Sequence, residues 1–152
     1  MSVGIIGLGI MGTAYADNLL RAGVAVSGFD PDTAARDRLV ERGGVAHDAL
    51  DVWLTECDLV ILSIASTKAL AIVAEKLGEV LKPGQIVMET GTFAMEDKLA
   101  ARDAVQKSGA ILLDTPVSGT GAQAAKADLV IMASGPSDAI AAARPFMAHL
   151  CH

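Results

Sequence analysis

The sequence of 152 residues predicts one doubly wound α/β domain, a mostly parallel sheet with helices on both faces. Three observations lead there. Short apolar runs alternate with helical patterns of roughly 10–15 residues, as βαβ units do. Hydrophobic residues make up 52% of the chain but aromatics only 3%, so Ala, Val, Ile and Leu must fill the core. Strands buried on both faces under Ala-rich helices have that composition. Glycine also follows four of the helical patterns, at Gly23, Gly43, Gly84 and Gly109, where a left-handed residue closes a helix.

In chain order, Val3–Ile6 reads as a strand and Met11–Ala22 as the helix after it. Val24–Phe29 and Asp32–Arg42 repeat the pair. Val45-Ala46 is a very short strand and Leu50–Thr55 a weak helix. Leu59–Ile64 is the clearest buried strand. Ser66 reads as the N-cap of a helix to about Leu81, because its hydroxyl can accept from an unpaired amide. After the turn Lys82-Pro83-Gly84 come a strand Gln85–Met88, a helix Met95–Lys107 and a strand Ala110–Asp114. Leu129–Ala133 is expected to extend the sheet by one more strand. Pro136–Leu150 is expected as a helix interrupted at Pro145. No internal repeat or linker divides the chain.

Charge and cysteine usage exclude several functions. Lys and Arg total 12 against 18 Asp and Glu, a net charge of −6, and few rings are present to stack on bases. Nucleic acid is therefore not an expected partner. No apolar run reaches the ~18 residues of a membrane span, and the first residues lack a signal-peptide pattern. Cys57 and Cys151 are far apart and form no C-x-x-C motif. His47, His149 and His152 have no metal-ligand spacing with them, so no metal site is expected. The expectation is a cytoplasmic protein.

The chemistry is concentrated near the start. Gly7-Leu8-Gly9-Ile10-Met11-Gly12 carries G-x-G-x-x-G between the first strand and its helix. Gly7 permits the tight turn, Gly9 lets the backbone approach a pyrophosphate, and Gly12 lets helix and strand pack closely. The helix N-terminus offers unpaired N–H groups to the anion, which explains how an acidic chain can hold an anionic cofactor. Asp30 ends the second strand, where a carboxylate can accept from ribose hydroxyls. A 2′-phosphate would meet that charge unfavourably, and the next arginine is Arg36. The reading is a Rossmann-like domain that binds NAD, with NADP disfavoured. Ala65 and Ser66 leave the carboxyl end of the best strand and can touch the cofactor. Simple helix capping is the alternative for that segment.

With these residues in place, the chain resembles the N-terminal domain of the β-hydroxyacid dehydrogenases, among them 3-hydroxyisobutyrate dehydrogenase and tartronate semialdehyde reductase. That domain is shared with 6-phosphogluconate dehydrogenase. Asp114-Thr115-Pro116-Val117-Ser118-Gly119 resembles the family's substrate signature Asp-Ala-Pro-Val-Ser-Gly-Gly. The resemblance implies that Ser118 and Gly119 receive the acid end of a small 3-hydroxyacid. Val87-Met88-Glu89-Thr90-Gly91-Thr92 resembles the family segment Val-x-Asp-x-Ser-Thr, which implies that Thr92 lies near the nicotinamide. The chain departs from the family at Thr120, Gly91, Met95 and Ala127.

In the family the proton acceptor is a Lys in a Lys-x-x-Asn motif on a later helix. None of the six lysines here has Asn three residues on, and Asn18 is the only asparagine. The resemblance therefore implies a dinucleotide-binding domain over residues 1–152 with no catalytic residue of its own. The family's helical C-terminal domain has no counterpart in it. Such a chain is expected to be inactive alone, and homo-oligomer formation through exposed apolar surface is expected. Two other readings stay open: a non-catalytic nucleotide-binding or assembly module, and an imine-reductase-like domain.

Overall fold

The computed structural model describes residues 1–151. Six strands form one parallel sheet: β1 (Ser2–Ile6), β2 (Ala25–Phe29), β3 (Val45–His47), β4 (Leu59–Leu62), β5 (Ile86–Glu89) and β6 (Ile111–Asp114). Their spatial order is β3-β2-β1-β4-β5-β6. The winding reverses between β1 and β4, which opens a crevice beyond their carboxyl ends.

The strands are apolar throughout because both sheet faces are covered, and alternate residues feed two cores. Val3, Ile5, Leu59, Ile61 and Met88 pack under α1 (Ile10–Arg21) and α2 (Thr33–Glu41). Ile6, Val60, Leu62 and Val87 pack under α3 (Thr67–Val80) and α4 (Met95–Val105). The glycines expected to close helices all lie at positive φ, from 78° at Gly23 to 93° at Gly43. Asp32 and Ser66 cap α2 and α3, accepting from the amides of Ala34 and Ala69.

Several boundaries differ from expectation. β4 stops at Leu62, although the Ser63 amide still donates to the Ile6 carbonyl at 2.8 Å. The weak helix at Leu50–Thr55 is a 3-10 turn over Val52–Glu56, and α4 ends in another over Gln106–Ser108. His47 stacks on Trp53 at 4.2 Å. The Cys57 thiol is buried, which together with Asp58 and Glu56 pushes its pKa up to about 11.

Two expectations fail. Leu129–Ala133 does not add a strand to the main sheet. Val130–Ile131, strand β8, pairs antiparallel with β7 (Val117–Ser118), which the sequence pattern did not mark. Leu129 is 2% exposed and Val130 60%, so this segment is covered on one face only and cannot sit in a doubly covered sheet. Just after it, Ser134 forms an isolated antiparallel bridge with Asp114 at the end of β6. A short helix α5 (Gly121–Ala124) with a Thr120–Gln123 capping box separates β7 from β8.

The second correction concerns α6 (Ser137–Met147), which runs through Pro145 without a break. The proline forfeits only the bond to the carbonyl of Ala141, which is an exposed residue. Ala139, Ala143, Phe146 and Met147 hold the helix against the core on both sides of the proline. Replacing Pro145 by Ala restores the missing donor, and the fold is expected to gain roughly 1 kcal/mol in urea unfolding.

Candidate dinucleotide site

The glycine turn is locked from within. At Gly7, with φ +96°, a Cβ would lie 2.1 Å from the Ser63 carbonyl oxygen. At Gly12 a Cβ would lie 1.9 Å from the Gly7 carbonyl oxygen. These two glycines are demanded by the fold. Gly9 is different, since a Cβ there would meet nothing within 4 Å. No protein atom fills the space above it. Gly9 also caps α1, whose first turn holds neither a side-chain cap nor an acidic residue. Its free amides and positive dipole end thus face the crevice, the donor set an oxyanion needs.

Asp30 fastens this turn to the end of β2. One carboxylate oxygen accepts from the Leu8 amide at 2.7 Å and the other from the Asp32 amide at 2.8 Å. A carboxylate has about four acceptor positions, so both oxygens retain capacity for a further donor. The Arg36 guanidinium donates to the Asp30 carbonyl at 2.6 Å and to the Thr33 hydroxyl at 3.1 Å.

The crevice has two lobes. A near lobe of ≈ 330 Å³ is bounded by Asp30, Pro31, Phe29 and Ser66. A far lobe of ≈ 250 Å³ is bounded by Met11, Tyr15, Thr90, Gly91 and Val117. They share Gly9, Ser63, Ile64 and Ala65. A ligand with two flat halves joined by an anion at Gly9 matches this shape, and the walls are mainly apolar.

The floor of the far lobe is polar and buried. Tyr15 has no exposed surface, and its hydroxyl has no hydrogen-bond partner among the described residues. Burial raises its pKa, so it stays a neutral phenol. Thr90 stands beside it, but the Thr90 proton goes to the Leu62 carbonyl at 2.7 Å. Gly91 is gripped on both sides: its amide donates to Glu89 at 2.7 Å, and its carbonyl accepts from the Lys98 ammonium at 2.7 Å. Lys98 also meets the second Glu89 oxygen at 2.8 Å, in an ion pair too bent to count as a hydrogen bond, and donates to Asp114. Burial pushes the Lys98 pKa down, but Asp114 and Glu89 outweigh it and hold it above the ordinary lysine value. Burial pushes Glu89 up, against Lys98 and the Gly91 amide, and burial wins.

The expected site residues fall into groups. Gly7, Gly9, Gly12 and Asp30 meet at the turn, and Ile10 and Met11 open α1 on the far-lobe side. Leu8 is a core side chain whose amide is committed to Asp30. Ala65 bounds both lobes; Ser66 bounds the near one while its hydroxyl caps α3. Thr92 is exposed next to Gly91. Ser118 and Gly119 are exposed just after Val117 of the far-lobe wall, and φ +146° at Gly119 calls for glycine. Tyr15, Glu89 and Lys98 were not singled out from the sequence. One signal was available: Glu89 and Asp114 end neighbouring strands and are paired in register, so a counter-charge was needed between them.

A parallel sheet whose crevice presents a glycine turn, free helix amides and a strand-end carboxylate defines a dinucleotide-binding domain of the Rossmann type. Residues 2–152 match the family model described as the NAD binding domain of 6-phosphogluconate dehydrogenase, and the chain belongs to that family. Among curated relatives, it is 31% identical to the L-threonate dehydrogenase of Cupriavidus necator over 97% of this chain and 50% of that one. It is 34% identical to the NAD-dependent L-serine dehydrogenase of Pseudomonas aeruginosa over 94% and 49%. The chain thus spans about half the length of these relatives. Among solved structures, the Mycobacterium tuberculosis 3-hydroxyisobutyrate dehydrogenase with L-serine superposes with a TM-score of 0.94 at 26% identity, covering 99% of this chain and 52% of that one. Psf3 in complex with NADP+ and 2-OPP superposes with a TM-score of 0.90 at 29% identity, covering 98% and 54%. The expected fold and family are thereby confirmed, and of the expected NAD preference the coarser part, an NAD(P)-binding domain, is shown.

Lys98 provides a test of the buried cluster. Lys98→Met leaves the Glu89 carboxylate uncompensated and should cost about 3–5 kcal/mol in urea unfolding at neutral pH. The variant's Glu89 pKa then rises further above its unfolded value. As pH falls through that folded value Glu89 becomes neutral and the penalty is relieved, so the gap from wild type should narrow on acidification.

Proposed function

We propose that the chain is the cofactor half of a dehydrogenase that passes a hydride between NAD and a small 3-hydroxyacid. The observation that carries this is Gly9: the fold does not need a glycine there, but a pyrophosphate against bare main-chain amides does. The adenosine half takes the near lobe with its ribose at Asp30, and the nicotinamide half takes the far lobe. Bound there, the cofactor supplies a ring that accepts or returns a hydride. The chain's residues hold and orient it. Gly9 to Met11 offer amides, Ala65 and Ser66 bound the crevice, and Thr92 stands at the ring end. Ser118 and the backbone at Gly119 offer donors to the substrate carboxylate.

The substrate class draws support from the relatives, since L-serine and L-threonate are both small carboxylates that carry a 3-hydroxyl. No proton acceptor is assigned within residues 1–151. The Lys98 ammonium is engaged by the Gly91 carbonyl, Asp114 and Glu89, and Tyr15 is a buried phenol that keeps its own proton. The isolated chain should bind cofactor and turn over little.

NAD rather than NADP is supported by the Asp30 carboxylate, with Arg36 tied to backbone carbonyls beside it. Calorimetric titration tests both readings. Wild type should bind NAD at millimolar cofactor or below; no heat of binding there would refute the assignment. Gly9→Ala should keep the wild-type melting temperature yet lose most NAD affinity, whereas Gly12→Ala should cost roughly 3 kcal/mol or more of stability. Asp30→Ser should weaken NAD and strengthen NADP, and an unchanged preference would remove Asp30 from the role.

A further inference from the structure

The polar floor behind the far lobe carries unbalanced charge. Glu89 and Asp114 end the neighbouring strands β5 and β6, and Lys98 is the one cation paired with either among the described residues. Arg102, on the same helix, pairs instead with Asp103. One Glu89 oxygen accepts from the Gly91 amide and the other lies 2.8 Å from the Lys98 ammonium, contacts that favour the carboxylate against the burial that raises its pKa. With both carboxyl groups ionised, the cluster holds two negative charges against one positive. The Glu89 side chain is fully buried, directly behind Thr90 and Gly91 of the lobe wall. Water does not screen it from that side.

We propose that the net negative charge of Glu89, Lys98 and Asp114 makes the far lobe favour the oxidised, cationic nicotinamide ring over the neutral reduced ring. This rests on the cofactor reading above. A ligand pair is discriminated only by a difference in interaction energy, and these two rings differ by one unit of charge at nearly constant shape. A buried charge acts on that difference through a medium far less polar than water. The Gly91 amide and the Lys98 ammonium fix where the charge sits, because one Glu89 oxygen accepts from the amide and the other pairs with the ammonium. The adenosine half, held at Asp30 across the crevice, lies in the other lobe and is indifferent to it.

The test is equilibrium binding of NAD+, NADH and ADP-ribose to the full chain, wild type and Asp114→Asn. The Asn keeps an oxygen for Lys98 and removes the excess charge. NAD+ should weaken on the order of three- to tenfold, while NADH and ADP-ribose stay within about twofold of wild type. Equal weakening of NAD+ and NADH would mean that the cluster only shapes the loop, and would overturn the proposal. So would unchanged NAD+ binding. ADP-ribose lacks the nicotinamide: if wild type does not bind it, the cofactor reading itself fails. ADP-ribose also reports that a variant is folded. Glu89→Gln carries the same comparison should Asp114→Asn not bind it.

Discussion

The close contact of three main-chain segments at the end of β1 governs the rest of this molecule. Gly7 lies so near Ser63, and Gly12 so near Gly7, that neither tolerates one more carbon. That contact sets the angle at which α1 leaves the sheet. It brings β4 beside β1 at the point where the winding reverses, and it aims the helix amides into the crevice. The Asp30 carboxylate completes the joint by accepting from the Leu8 amide, so the end of β2 is held to the same turn. One residue in this knot, Gly9, is small for no internal reason, and the opening of the crevice coincides with it.

The far side of the crevice is built differently. There the backbone of Gly91 is held by charged partners as well as by close packing against Phe93. Such an arrangement contributes little net stability, because desolvation offsets most of the attraction. It does fix one peptide at the mouth of the sheet, next to Thr92, and it sets the potential that a ring in the lobe would feel. Rigidity at one end and charge at the other suit a ligand whose two halves differ in what they need, one a firm seat and the other a tuned environment.

Much of this was legible in the chain itself. The period of apolar residues, the glycines after helices, Asp32 and Ser66 as caps, and G-x-G-x-x-G with its following acid are all local signals with local causes. They placed the parallel sheet, its order of elements and the glycine turn. The segment Leu129–Ala133 misled because an apolar run does not say whether one face or two will be covered, and Val130 proved to be exposed. Pro145 misled because a helix anchored by Phe146 and Met147 outweighs one missing donor.

Residue order by itself thus determined what depends on neighbours along the chain: strand, helix, cap, turn and the motif at the amino end. Only the folded molecule decided which residues far apart in sequence share an environment. Lys98 reads as one more helix-surface lysine until α4 turns it toward Glu89 and Asp114, which come from two separate strands. Tyr15 reads as an ordinary core ring until its hydroxyl is found behind the lobe without a partner among the described residues. The cause is the same in both cases. The cost of burying a polar group depends on what the rest of the chain places around it, and no local pattern records that.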